Sequence, residues 1–511
     1  MQQSLGNFLD DLEKKNLLVR VKNPVSLYLE MTEIHKRMLV AGREAILFEN
    51  VIFKDGRKSN IPVLVNLFGT KERVSLALGY GMDKLTELGE MLAFMRQPKP
   101  VSSIREAIGY LPLLKKVMNM RPKVVSSAQC QEVIYKGGDV DLNMLPIQSL
   151  FPNEPAPLIT FGICVTKGPT YFDKKLEKDE LDDFNLGIYR LQLLEKNKLI
   201  MRWLQHRGGA LQFARFKEKF PNQNMPCAVV IGADEKTIMA AVTPVPDTLS
   251  EYKFAGLLRG EKTRLIKCIS NDILVPASAE IVLEGEILCD ETAKEGPYGD
   301  HTGFYNEVDS FPVFKVNCIT MKKNPIYHST FTSRPMDEPA ILAETLNDVF
   351  VPLIKQQFPE IVDFYLPMDA CSYRMAFVSI KKSYGGQAKR IMMGVWSYLR
   401  QFMYTKWVVI FDEDINIRNY SDVIWAMSVY VDPVRDFMTV ADTPIDYLDF
   451  ASPVSGLGSK IGIDATTKIH PETNRIFGKK IEMDQNVVHK VDKDWEKYGL
   501  GDFIESVWKK K

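Results

Sequence analysis

Apolar positions along the first 125 residues switch between two periods. Spacings of three and four predict amphipathic helices over Leu5 to Lys15 and Ser26 to Ala41, and denser apolar runs predict extended segments over Leu17 to Val21, Ala45 to Val51 and Ile61 to Phe68. This pattern describes a small α/β unit. Prolines at 98, 100, 112 and 122 interrupt the stretch from Phe94 to Pro122, as expected of a crossing linker. From Cys130 to Phe331 short β patterns dominate: Leu158 to Thr166, Lys198 to Leu204, Cys227 to Gly232, Thr237 to Val242, Thr263 to Ile269, Ala279 to Leu288, Val313 to Met321 and Ile326 to Phe331. Strands so spaced suggest a barrel-like sheet, interrupted by one helix from His206 to Phe220. Beyond Pro335, strands at Val362 to Leu366, Met375 to Ile380 and Trp407 to Phe411 alternate with helices at Gly386 to Phe402 and Asp422 to Val431. That order predicts βαβ units and a mostly parallel sheet. Amphipathic helices at Gln485 to Tyr498 and Phe503 to Trp508 end the chain, either packed on their own domain or docked on a neighbouring subunit.

The expected fold class is therefore α/β, of the α+β multidomain kind. Its expected parts are an N-terminal α/β domain with linker (1–125), a central β-barrel (126–332), a C-terminal α/β domain (333–480) and a helical tail (481–511). A length of 511 residues fits two or three such cores. The 65 basic and 65 acidic side chains cancel, which argues against nucleic acid or a strongly anionic surface as partner. Seven scattered cysteines with no C-x-x-C pair argue against a disulfide framework and for a reducing, cytoplasmic setting. Residues Met1 to Lys15 lack the apolar stretch of a signal peptide, and no apolar run approaches the roughly 18 residues of a membrane span.

Four polar clusters interrupt this apolar pattern. In Asn185-Leu-Gly-Ile-Tyr-Arg190, the amide and the guanidinium either lie on opposite faces of a strand or are turned to one pocket by the glycine. In Arg202-Trp-Leu-Gln-His206-Arg207-Gly208-Gly209, forked donors and exposed backbone N–H groups suit a phosphate, and His206 is either a ligand or a hydrogen-bonded structural residue. Glu251 opens a helix over Glu251 to Arg259, capped by Thr248 or Ser250. Together with Asn185 and His206 it would leave octahedral positions open, which suits Mn²⁺ or Mg²⁺ rather than structural zinc. In Glu295-Gly-Pro-Tyr-Gly-Asp300, the turn residues either bring two carboxyls to one cavity, raising one pKa toward a useful acid while a neighbouring arginine stabilises the ionised partner, or form a solvated acidic turn.

Read together, these segments closely resemble the UbiD family of carboxy-lyases. The resemblance extends through Ser278-Ala-Glu-Ile-Val-Leu-Glu-Gly, Glu295-Gly-Pro-Tyr-Gly-Asp-His-Thr-Gly, Tyr327-His-Ser-Thr-Phe, Met392-Met-Gly-Val-Trp, Asp422-Val-Ile-Trp-Ala and Leu448-Asp-Phe-Ala-Ser-Pro-Val-Ser-Gly-Leu-Gly-Ser-Lys460. It implies a split β-barrel of flavin-binding type, prenylated FMN, and a divalent metal, usually manganese. The implied metal ligands are Asn185, His206 and Glu251. The cofactor would lie along Ile188, Tyr189 and Arg190, along Arg202, Trp203 and Leu204, and at Arg207 and Gly208. Arg400 or Lys406 would reach its phosphate. Arg190, Glu295 and Asp300 would form the catalytic network with Asp300 as proton donor, where some relatives carry glutamate.

The implied reaction is non-oxidative decarboxylation of 3-polyprenyl-4-hydroxybenzoate, of octaprenyl type, to 2-polyprenylphenol in ubiquinone biosynthesis. Two alternatives are a decarboxylase of an unprenylated phenolic acid and a flavin-binding assembly protein without turnover. A prenyl chain requires an apolar channel, which the helix run Ile391, Met392 and Met393 or a subunit interface would provide. The resemblance further implies a homohexamer whose terminal helix serves oligomerisation, a flavin prenyltransferase as cofactor supplier and, for a prenylated substrate, peripheral contact with the inner face of the cell membrane.

Overall fold

Helix Leu5–Lys14 starts where the Ser4 hydroxyl accepts the Asn7 N–H, and it buries Leu5, Phe8, Leu9 and Leu12 along one stripe. That stripe covers a four-stranded sheet in the order Leu18–Val21, Ala45–Phe48, Val63–Val65, Tyr327–His328. The first two strands are parallel, the third is antiparallel, and Tyr327–His328 pairs parallel to the third. Tyr327–His328 was expected in the barrel; Ser329 N–H instead donates to the Leu64 carbonyl at 2.9 Å and draws it into the N-terminal sheet. These features come from a computed structural model that describes residues 3–96, 116–168, 183–204, 208–243, 249–398, 400–506 and 508. Most of the expected linker, and His206 and Arg207, lie outside the described residues.

Six strands close the central barrel: β1 (Leu158–Lys167), β2 (Phe184–Glu195), β3 (Lys198–Met201), β4 (Met225–Ile231), β5 (Ile281–Glu295) and β6 (Asp309–Met321). The order is β3-β2-β1-β4-β5-β6, and the pairing of Lys198 with Lys315 returns β6 to β3. All six pairings are antiparallel. Closure leaves these strands without free edges. At the bulge after Glu284, a side chain on Gly285 would sit 1.9 Å from the Lys315 carbonyl, so only glycine permits that approach. Strand Val133–Lys136 extends the sheet beyond β6.

Two expected barrel strands lie elsewhere. Arg264–Lys267 joins Leu274–Pro276 and Lys123–Val125 in a separate three-stranded sheet. The segment expected as strand Thr237 to Val242 is helix Glu235–Val242, because the Asp234 carboxylate caps it by accepting the Thr237 N–H at 3.1 Å.

The C-terminal sheet runs Ile361–Tyr365, Met375–Ile380, Trp407–Asp412, Leu457–Ala465, Phe437–Pro444. Its two central pairings are parallel and its two outer ones antiparallel, so it is mixed rather than mostly parallel. Alternation along the strands fills both faces. Val408 and Ile410 meet Ile391, Met392 and Val395 of helix Gln387–Tyr398, and Val409 and Phe411 meet Val423, Ala426 and Tyr430 of helix Tyr420–Tyr430. Ile391 and Met392 are thus core residues, so they do not line an open channel, while Met393 is exposed. Helix Glu338–Gln357 joins the parts: Ile341, Leu342, Leu346, Val349 and Leu353 enter the core shared with the barrel, while Val351 and Ile354 enter the C-terminal core. In the tail, helix Gln485–Asp494 forms as expected, but residues 503–506 carry no regular structure. All seven cysteines are free thiols.

Candidate active site

Strand β2 turns Arg190 toward the last residue of β5, Glu295, and the turn that follows carries Asp300. The turn is fixed by its own hydrogen bonds: Gly296 N–H donates to Gln192 Oε1 at 2.9 Å, Tyr298 N–H to Asn306 Oδ1 at 2.6 Å, and Gly303 N–H to the Asp300 carbonyl at 2.9 Å. Gly296 has φ +97°, a conformation side chains resist. Arg190 donates from Nε and Nη2 to the two Glu295 oxygens at 2.7 and 3.1 Å, and from Nη1 to Asp300 Oδ2 at 2.5 Å. Its guanidinium carbon lies 4.0 Å from the centre of the Tyr298 ring. Glu295 and Asp300 are both buried, so they do not form a solvated turn.

The cation between them changes the expected electrostatics. Burial opposes ionisation of Asp300, but Arg190, then the hydrogen bond and charge of His301, then Arg202 outweigh it and hold Asp300 well below the usual carboxylate range. Two carboxyls sharing a site were expected to push one pKa up; a guanidinium interposed between them removes that repulsion. The nearby carboxyl that is pushed up is Glu154, to about 7, chiefly by burial. Its oxygens accept the Leu150, Phe151 and Gly299 N–H groups, so it braces the turn from behind.

A second corner lies further back along β2. Glu251, the first residue of helix Glu251–Arg259, accepts the Leu186 N–H at 3.3 Å, which places its carboxylate beside Asn185. Gly208 opens helix Gly208–Lys219 against the same amide, and a side chain there would come within 2.2 Å of Asn185 Oδ1. The Asn185 amide nitrogen is buried without a hydrogen-bond partner, as is Nε of Arg202, which lies 3.7 Å from Glu295. Donors left without partners beside a helix N-terminus fit a bound phosphate group, and the Glu251 carboxylate beside the Asn185 amide oxygen fits a metal.

Between the corners lies a cavity of about 630 Å³. Ile188, Tyr189, Arg190, Arg202, Leu204, Gly208, Glu251 and Asp300 all line it. Trp203 does not; its ring packs in the core against Tyr189 and Phe213. Lys406 is taken by Asp449 at 2.9 Å and is absent from the wall, and no side-chain contact of Arg400 is described. Several wall residues were given no role from the sequence, including His301, Tyr373 and Asp446 and the apolar set Leu342, Leu346, Phe350, Phe364 and Phe402. Adjacency to Asp300 could have pointed to His301. Nothing local could have pointed to Asp446, which reaches the site only through the fold.

Sequence models of the 3-octaprenyl-4-hydroxybenzoate carboxy-lyase match the chain three times: the N-terminal domain over residues 9–95, the Rift-related domain over 123–335 and the C-terminal domain over 340–465. The chain belongs to the UbiD family. Among solved structures of the UbiD class, the enzyme HmfF of Pelotomaculum thermopropionicum in complex with FMN is 25% identical and superposes with a TM-score of 0.74, covering 93% of this chain and 97% of the other. An evolved dimeric form of HmfF in complex with prFMN is also 25% identical, with a TM-score of 0.73 over 94% of this chain and 97% of that one. The closed form of the vanillic acid decarboxylase of Sedimentibacter hydroxybenzoicus, again 25% identical, gives a TM-score of 0.80 over 98% of this chain and 100% of that one.

Proposed function

We propose that this UbiD-family chain is a prenylated-FMN-dependent carboxy-lyase that removes CO₂ from an aromatic acid, with 3-polyprenyl-4-hydroxybenzoate as its substrate. The observation that carries the reading is Arg190 holding Glu295 and Asp300 together at the wall of the 630 Å³ cavity. When bound, prenylated FMN supplies the electron sink that an aryl carbanion needs and that side chains lack. A divalent ion, Mn²⁺ or Mg²⁺, would be held by Asn185, Glu251 and His206, and the phosphate would meet the N-terminus of helix Gly208–Lys219 and Arg207. Arg190 has the fork geometry to orient the substrate carboxylate. Asp300 delivers a proton to the ring carbon that loses CO₂, Glu295 holds Arg190 in place, and the buried ring of Tyr298 helps exclude water.

The apolar side of the cavity supports the prenylated substrate. Leu342, Leu346, Phe350, Phe364, Phe402 and Leu448 form a wall for which the charged end has no use, and a chain leaving the aromatic ring could follow it. Likeness to a vanillic acid decarboxylase favours the second reading, an unprenylated phenolic acid. Exposed Ile476, just before the tail, and Ile481 and Leu500 within it are consistent with assembly into a homo-oligomer such as a hexamer. No described helix is long and apolar enough to cross a membrane, so a prenylated substrate would be reached by peripheral contact.

The test is CO₂ release by protein co-expressed with a flavin prenyltransferase, offered 4-hydroxybenzoates with and without a 3-prenyl chain. Preference for the prenylated acid is expected, together with loss of turnover by about 100-fold or more in Asp300→Asn, which retains flavin. Full activity in Asp300→Asn would overturn the assignment of the acid, and turnover of the unprenylated acid alone would replace the substrate.

A further inference from the structure

Every contact of Asp300 favours its ionised form. Oδ2 accepts from Arg190, while Oδ1 accepts the His301 backbone N–H at 2.8 Å and faces His301 Nδ1 at 2.9 Å. An acid so held does not store a proton between turnovers. One has to be handed to it, and His301 is the side chain placed to do so.

The other ring nitrogen of His301 faces the C-terminal domain. Nε2 is buried, has no hydrogen-bond partner and lies 3.8 Å from Asp446 Oδ2, on the segment that follows strand Phe437–Pro444 of the C-terminal sheet. Asp446 is itself held: Oδ2 accepts from the Tyr373 hydroxyl at 3.3 Å and lies 3.5 Å from Arg374, and Oδ1 accepts the Leu448 N–H at 3.0 Å. Beneath it, Lys460 donates to the carbonyls of Pro444 at 3.1 Å and Thr405 at 3.3 Å, tying that segment to the sheet.

We infer that His301, clamped between Asp300 and Asp446, is a positioning residue that passes a proton from Nδ1 to Asp300 Oδ1 in each turnover, with Asp446 keeping the imidazole charged and aligned. The inference rests on the reading of Asp300 as the acid. When the substrate carbon takes its proton, the Nδ1–H bond of His301 breaks as an O–H bond forms on Asp300, and that O–H bond breaks in turn as the C–H bond forms, which returns Asp300 to the carboxylate. The imidazole, which lines the cavity, then regains a proton from water there. Over the cycle one carboxylate and one proton become one C–H bond and CO₂, and no oxidant or reductant is needed.

The charged groups facing the imidazole are Asp300 from its own turn, Asp446 from the C-terminal sheet, Arg374 from the turn before strand Met375–Ile380, and Asp337 at the cap of helix Glu338–Gln357. Burial alone would lower the imidazole pKa, but Asp300 and then Asp446 raise it above its ordinary value. The charged, proton-giving form is therefore favoured beyond that of an ordinary imidazole and is lost as pH rises through that raised pKa.

The test uses cofactor-loaded Asp446→Asn and His301→Gln proteins, with unfolding midpoints and flavin absorption to establish that each is folded and loaded. Asp446→Asn is expected to lower kcat about tenfold or more with KM nearly unchanged, and to move the alkaline limb of the kcat profile to lower pH. His301→Gln is expected to remove that limb. A second readout needs no turnover: with six histidines in the chain, the imidazole NMR signal missing from His301→Gln reports the His301 titration, expected to fall in Asp446→Asn. An Asp446→Asn protein with a wild-type His301 titration and kcat profile, beside an inactive Asp300→Asn, would overturn this inference while leaving the proposed function standing. An active Asp300→Asn would bring down both.

Discussion

The guanidinium of Arg190 spans two buried carboxylates, and its planar fork is what makes that possible. Nε and Nη2 are used on Glu295 and Nη1 on Asp300, an arrangement that the point charge of lysine does not reproduce. Removing the cation would strand two negative charges out of water, so Arg190→Met is expected to lower stability by about 3–5 kcal/mol, as broken buried ion pairs do. Arg190→Met with Glu295→Gln removes one of the stranded charges and should recover part of that loss, while neither protein turns over. Denaturant midpoints measure both, and a double variant no more stable than the single would show that stranded charge is not the cause. At this scale the sequence was informative wherever polar residues interrupt apolar strands beside glycine, as Asn185, Arg190 and Glu295 do. It was misleading on the direction of the Asp300 shift, because two carboxyls in one segment suggest repulsion, and the arginine expected to steady only one of them bridges both from β2.

Elements were legible where their own residues determine them. Helix Glu251–Arg259 follows from its apolar stripe and the left-handed Gly260 that ends it, and β1 from ten consecutive buried residues. Helix Glu235–Val242 was misread as a strand because its threonine, isoleucine and valine suit a sheet, and the Asp234 cap decided otherwise. Membership of a sheet was not legible for Tyr327–His328 and Arg264–Lys267, since pairing partners far along the chain determine it. The start of helix Gly208–Lys219 gives a prediction at this scale. A methyl group on Gly208 would lie 2.2 Å from Asn185 Oδ1 and must push that amide aside. Gly208→Ala is therefore expected to change stability by less than about 1 kcal/mol, the usual helical difference between these residues, yet to lose metal and flavin. Metal analysis and flavin absorption after desalting measure this, and full retention would separate Asn185 from the metal corner.

Across the whole molecule, the N-terminal sheet and the barrel meet around the first turn of helix Glu338–Gln357, where the core holds ionisable groups. Glu338 accepts the Phe68 N–H at 2.7 Å and the Thr330 hydroxyl at 2.6 Å, and lies 3.3 Å from His35. Burial opposes its ionisation, but the His35 hydrogen bond and charge, with His328 and Thr330, bring its pKa down to about 2. His328 packs its ring 4.4 Å from Phe161 and 5.9 Å from Phe68, both ring nitrogens lack hydrogen-bond partners, and burial pushes its pKa down to about 4. Both shifts are downward, so the folded state binds fewer protons than the unfolded chain as acid is added. For His328 the stabilisation is complete above the ordinary imidazole value of 6.5 and is lost as pH falls from there to about 4; for Glu338 the loss runs from 4.5 to about 2. At about 1.4 kcal/mol per unit, the His328 window alone is worth roughly 3 kcal/mol, a large share of the stability of an ordinary domain. Glu154, pushed up to about 7, works in the opposite sense over this range, so the His328 effect is read as a difference between two proteins. Wild-type protein should lose resistance to denaturant relative to His328→Phe, which fills the same aromatic slot without a titrating group, with the gap opening below pH 6.5 and widening toward pH 5. Parallel midpoint curves for the two proteins would show that His328 does not couple acid to the joint between the sheets.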